Sequence, residues 1–212
     1  MDRRGFISFF NKFFRSGRGE SSTVFFGLQV VISYSPNRDI RPGFYKIITD
    51  YTKSEGKSQK KLFYQQLREQ LLRLVPDIAY GYWDFITDEE AALAEYQQWT
   101  GEIQDVFMIE SEESTTPEPG TTDSKEKQYL VITQVFLLKT QSSLEPFFTK
   151  IEAIPSELYF GRSTFSKLLG AVGQIDFSAC TQEALYLMPP GKKGGYTQAE
   201  IEGEGWEYLR KV

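Results

Sequence analysis

Apolar residues recur along this chain with two periods, and the alternation of those periods sets out most of its elements. Thr23 to Ser35 is dense in Val, Phe and Ile, and predicts a strand. Turns follow at Pro36–Asp39 and Pro42–Gly43, then a short helix from Phe44 to Tyr51. Ser58 to Val75 repeats at the helical period, with Phe63, Leu67, Leu71 and Leu74 as its inner stripe, and Pro76 stops it. Ile78 to Ile86 predicts a second strand. Thr87 and Glu90 have the spacing of a capping box before a helix that carries Ala92, Tyr96, Trp99, Ile103 and Val106 on one face.

Residues 110–127 interrupt the pattern. Serine, threonine, proline, glycine and acids dominate there, so the segment reads as an acidic flexible linker. Beyond it, Tyr129 to Thr140 predicts a strand. Ser142 and Glu145 form a second capping box, before a short helix with Phe147, Phe148 and Ile151. Arg162 to Ile175 predicts a helix with Phe165, Leu168, Leu169 and Val172 inside. Glu183 to Met188 predicts a strand, residues 189–195 a turn, and Thr197 with Glu200 a third capping box.

The order strand, helix, helix, strand, helix therefore occurs twice. Residue matches accompany it: Gln29 with Gln134, Phe44 and Ile48 with Phe147 and Ile151, Phe63 and Leu67 with Phe165 and Leu169. We expect an α+β fold of two similar halves, residues 20–109 and 128–212, which share one sheet because neither half has strands enough to bury its own faces.

Residues 1–19 stand apart. Phe6, Phe9, Phe10, Phe13 and Phe14 fall on one helical face, with Lys12 and Arg15 among the positive charges around it. Such a segment suits an anionic membrane surface, a groove on a protein partner, or the protein's own core. Asp2-Arg3-Arg4-Gly5-Phe6-Ile7 has the outline of an export signal, but Asn11, Lys12 and Arg15 break the apolar stretch that should follow, so a cytoplasmic location is expected, with membrane association through this segment.

Composition then narrows the chemistry. The 212 residues contain no histidine and one cysteine, Cys180, so the commonest general base and the usual zinc ligand sets are missing. Neither a metal nor a cofactor is expected. Cys180, beside Ala179, reads as an inert thiol. A formal net charge of -5 argues against nucleic acid as a partner. Two carboxylates remain as candidates for acid–base work: Asp84 between Trp83 and Phe85, and Glu183 on the later strand. Lys192, Lys193, Gly194 and Gly195 precede a helix start and form a candidate anion-binding turn.

The second half also resembles a known family. Tyr129-Leu130-Val131-Ile132-Thr133, the helix with Leu168-Leu169, Glu183-Ala184-Leu185-Tyr186, the proline turn at Pro189 or Pro190, and Thr197 before Glu200 are similar to the closing region of the cyanobacterial and chloroplast domain family typified by the fluctuating-light-acclimation protein. Tyr186 stands where that family usually has tryptophan, and the first half fits more loosely, around Leu28-Gln29 and Gln65 to Leu72. The resemblance implies an accessory or regulatory role and no known active site. The leading expectation is thus a non-catalytic accessory or interaction protein. The alternative is a small-ligand binder or carboxylate-dependent enzyme, with Asp84 or Glu183 and tyrosines between the halves.

Overall fold

The computed structural model describes residues 22–35, 37–51, 56–113, 126–189 and 194–212, with backbone alone for 49–51 and 102–113. The phenylalanine segment of residues 1–19, Lys192, Lys193 and most of the acidic linker lie outside the described residues.

Five strands form one antiparallel sheet: β1 (Thr23–Tyr34), β2 (Ile78–Ile86), β3 (Gln128–Lys139), β4 (Cys180–Met188) and β5 (Arg210–Lys211), in the order β4-β3-β1-β2-β5. The helices are α1 (Arg41–Tyr51), α2 (Lys57–Arg73), α3 (Glu89–Glu113), α4 (Glu145–Glu152), α5 (Arg162–Val172) and the short α6 (Gln198–Ile201). The α+β class is as the sequence predicts. α3 runs to Glu113, into the start of the expected linker, and β4 begins at Cys180 rather than Glu183.

The two long strands lie at the centre. β1 and β3 pair over their full length, with Gln29 opposite Thr133 and Leu28 opposite Gln134. Both are buried along nearly every residue. Alternate side chains therefore enter different cores. Val24, Phe26, Leu28, Val30 and Ile32 of β1 join Leu130, Ile132, Phe136 and Leu138 of β3 beneath α1, α2, α4 and α5, which contribute Phe44, Leu67, Phe147 and Leu168. Phe25 and Val31 of β1 face the other way, with Val131, Val135 and Leu137 of β3. That side is covered by α3 at one end and by the C-terminal segment at the other, so the sheet is the middle of three layers.

Close approach at one glycine joins the sheet to α5. A Cβ at Gly81 would meet the Phe165 ring at 2.4 Å, so the absence of a side chain lets this fully buried ring rest on β2. Tyr64 stacks on Phe177 with ring centroids 5.0 Å apart and leans on Phe136 at 5.1 Å, tying α2 to β3.

Three expectations need correction. Gln29 and Gln134 are not equivalent. Gln29 lies beside Leu28, the partner of Gln134, and the two glutamines project from opposite faces of the sheet. The first helix cap is Asp88, not Thr87: its Oδ1 accepts from the Ala91 N–H at 2.9 Å. Ser142 makes no cap, because Ser142–Leu144 winds as a 3-10 turn into α4. The third capping box is present as expected, with Thr197 Oγ1 accepting from Glu200 N and the Glu200 carboxylate accepting from Thr197 N.

Candidate functional site

The side of the sheet beneath α3 and the C-terminal segment carries two separate apolar clusters. Phe25, Ile86, Trp99, Val135 and Leu137 pack at the α3 end. Val31, Tyr80, Tyr129, Val131, Met188, Ile201 and Leu209 pack at the other. Between them the sheet turns polar. Tyr82 lies opposite Gln29, Gln29 opposite Thr133, and Thr133 opposite Tyr186. Opposed residues in an antiparallel pair project to the same face, so these four form a row straight across β2, β1, β3 and β4.

The centre of the row is closed to solvent. Gln29 is 2% exposed and Thr133 0%. Gln29 Nε2 donates to Thr133 Oγ1 at 2.7 Å, while Gln29 Oε1 has no donor. A buried amide oxygen without a donor costs about 1–3 kcal/mol of desolvation. The tyrosines at the ends are half-buried. Tyr82 is a hub between layers: its ring lies 5.9 Å from Trp99 of α3, 5.4 Å from Tyr208 of the C-terminal segment and 6.2 Å from Phe160. Over the next row sits Trp99, whose Cη2 would lie 3.0 Å from a Cβ placed on Gly27. Burial, with Tyr186, Glu183 and Cys180 nearby, pushes the Tyr96 hydroxyl up to about 12, so it stays a neutral donor at pH 7.

A few contacts hold the C-terminal segment down on this face. β5 pairs with Tyr80 and Gly81, and Val212 N donates to the Ala79 carbonyl at 3.1 Å. Tyr80 Oη donates to Glu202 at 2.5 Å, and Lys211 bridges to the same carboxylate at 3.4 Å.

The two carboxylates singled out in the sequence do not meet. Asp84 is on the face of the polar row, with Oδ1 accepting from Phe85 N at 2.7 Å. Glu183 opposes Phe136 and so projects to the other face, from a strand three spacings away, about 14 Å across the sheet. There it pairs with Lys60 and accepts from the Cys180 thiol at 3.4 Å. Burial first, and then Glu183, raises the Cys180 thiol far above the ordinary value, which suits an inert thiol.

In the described part of the glycine turn, a backbone carbonyl serves as an acceptor toward a cation. The Gly194 carbonyl receives Arg41 Nη1, and Arg41 is already held by Asp39 through Nε and Nη2, both at 2.8 Å. Gly194 has φ +79°, and a Cβ on Gly195 would lie 2.6 Å from the Tyr34 hydroxyl. Among the described residues no group of acids and cysteines could hold a metal ion.

Sequence reasoning named Gln29 only as a marker of the repeat and Thr133 only within a strand. The usable signal was a glutamine and a threonine midway along the two longest apolar runs, where a polar side chain is expensive. No family model, curated protein or solved structure matches this chain.

Proposed function

We propose that this protein is a non-catalytic accessory or interaction protein, acting in the cytoplasm and docking through Phe6, Phe9, Phe10, Phe13 and Phe14, with Lys12 and Arg15, onto an anionic membrane surface or a protein partner. One observation carries the reading: Asp84 and Glu183 project from opposite faces of the sheet, and Glu183 is engaged by Lys60, so the carboxylate pair that would stand in for histidine is not assembled. No described helix is long and apolar enough to cross a membrane, so an association of this chain with bilayers through the described helices would be peripheral. The likeness of the second half to the fluctuating-light-acclimation family points to the same accessory role. We read the chain as two related halves sharing one sheet, a reading supported by the central β1–β3 pair with β2 and β4 outside it.

Flotation with anionic liposomes tests the membrane docking. The full chain should float with the vesicles, and a chain lacking Met1–Arg18 should remain at the bottom. Equal flotation of both, or of neither, removes membrane docking and leaves the protein-partner form, which a pull-down with and without the same segment examines.

A further inference from the structure

We propose that the row Tyr82–Gln29–Thr133–Tyr186 is the floor of a binding site for a small, flat, uncharged aromatic molecule carrying a hydroxyl or N–H donor. The inference deepens the small-ligand reading of the chain and is independent of docking through the phenylalanine segment, so the two can fail separately.

Placement is the first argument. The polar row runs along the seam between two apolar clusters, one beneath α3 and one beneath the C-terminal segment. In the closed chain Tyr82 packs against Trp99 of α3 and Tyr208 of the C-terminal segment, so a ligand on the seam would take the place of one of these ring contacts and touch both covers. Flat apolar rings pack well against such edges and faces.

The second argument is an unmet bond. Gln29 is almost wholly buried and spends its amide nitrogen on Thr133, which leaves Oε1 as a buried acceptor with no donor. A ligand hydroxyl or N–H supplies the missing donor in a low-dielectric place, where such a bond discriminates strongly between donor and non-donor. No charged side chain lies in the row itself, and the Asp84 carboxylate, next after Tyr82 on the same face, disfavours an anion, so the complement is a neutral donor molecule.

Access is the third. Gln29 is sealed, so entry requires one cover to lift. The C-terminal segment is the shorter cover: a two-residue strand, the Val212–Ala79 backbone bond, one tyrosine–carboxylate bond, one surface ion pair and the packing of Tyr208 and Leu209 anchor it. Short terminal segments that rest on the edge of a sheet open below the free energy of global unfolding.

Phenol and toluene, nearly equal in shape and different in the donor, form the test. The intact chain is titrated with each, following the Gln29 side-chain amide and Trp99 indole by 1H–15N NMR. Phenol should bind at least about tenfold more tightly than toluene, with shifts at both groups. In Gln29→Met, which keeps length without the amide, the two should bind equally. Equal affinities in the unmodified chain, binding of neither, or shifts confined to other regions would overturn the site, whether or not the variant folds; the Gln29–Thr133 bond would then serve only to hold β1 against β3.

Discussion

The hydroxyl of Tyr80 donates to the carboxylate of Glu202 across the gap between β2 and the C-terminal segment, at 2.5 Å. Both groups are shifted by it in opposite senses. Tyr80 is raised well above its ordinary value, by burial first and then by Glu202. Glu202 is lowered below 4.5, by Tyr80 first, then Gln198 and Lys211. A lowered carboxylate stabilises the docked segment above its unfolded value and loses that contribution as pH falls through the folded one. A raised tyrosine stabilises it below its unfolded value near 10 and loses that contribution as pH rises through the folded one. Docking of residues 202–212 should therefore loosen below about pH 4.5 and again above about pH 10. Amide exchange at Leu209 and Val212 measures it. Tyr80→Phe should speed exchange at both amides at neutral pH and flatten both limbs of the profile.

Gly81 opposite Val30 is where β2 admits Phe165, and a methyl there would overlap the ring at 2.4 Å. The ring is fully buried and cannot swing into solvent. Gly81→Ala should destabilise the fold by about 1–3 kcal/mol, the usual cost of overpacking a filled core. Thermal or urea unfolding reads this directly. Gly101→Ala is the control: a Cβ there meets nothing within 4 Å in the middle of α3, and alanine should be neutral to stabilising.

The same packing explains what could be read in advance. The stripe of Phe63, Leu67 and Leu71 on α2, continued by Leu74 just past its end, was legible because only one side of that helix is buried, so the period survives in the sequence. β1 and β3 were legible as strands from their Val, Phe and Ile content, but their faces were not. Both are covered on both sides, the apolar residues run without alternation, and nothing in the run says that Gln29 and Gln134 point apart. The capping-box spacing of Thr87 and Glu90 points to Thr87, but Asp88 is an equally good capping residue type one position on, and the backbone alone decides which neighbour ends outside the helix. Of the candidate site, Asp84 and the tyrosines were visible, while the Gln29–Thr133 pair depends on a register that single-strand patterns do not contain.

Arg41 is only 7% exposed, and its charge is answered by Asp39 with the Tyr34 ring 5.8 Å away. The Arg41 guanidinium holds the Asp39 carboxyl below its ordinary value of 3.8. Asp39→Asn leaves a buried cation without its anion. Asp39 itself keeps 33% exposure, so solvent screens part of the loss, and about 1–2 kcal/mol of destabilisation is expected rather than the full cost of orphaning a buried charge. The lowered carboxyl gives the sign with pH: its contribution is complete above about pH 4 and fades below. Urea unfolding at pH 7 and pH 3 should therefore separate wild type from Asp39→Asn most at the higher pH and less at the lower.

Cys180 tests whether the β4 edge holds a reactive group. Its thiol donates to the Gln182 carbonyl at 3.3 Å and to the Glu183 carboxylate at 3.4 Å, and desolvation together with the adjacent negative charge disfavours the thiolate. Thiol reagents attack through the thiolate, so reaction with a soluble aromatic disulfide at pH 8 should be slower in the native chain than in urea by more than about a hundredfold. Glu183→Gln removes the charge while keeping an acceptor, and should speed native labelling, since burial then opposes the thiolate without Glu183 while Lys60 still favours it. Lys60→Met should act the other way, because Lys60 offsets part of the Glu183 charge in the native chain. Rapid labelling of the native protein, unchanged by either substitution, would mean that solvent reaches the sulfur and that its low reactivity is not built into this edge.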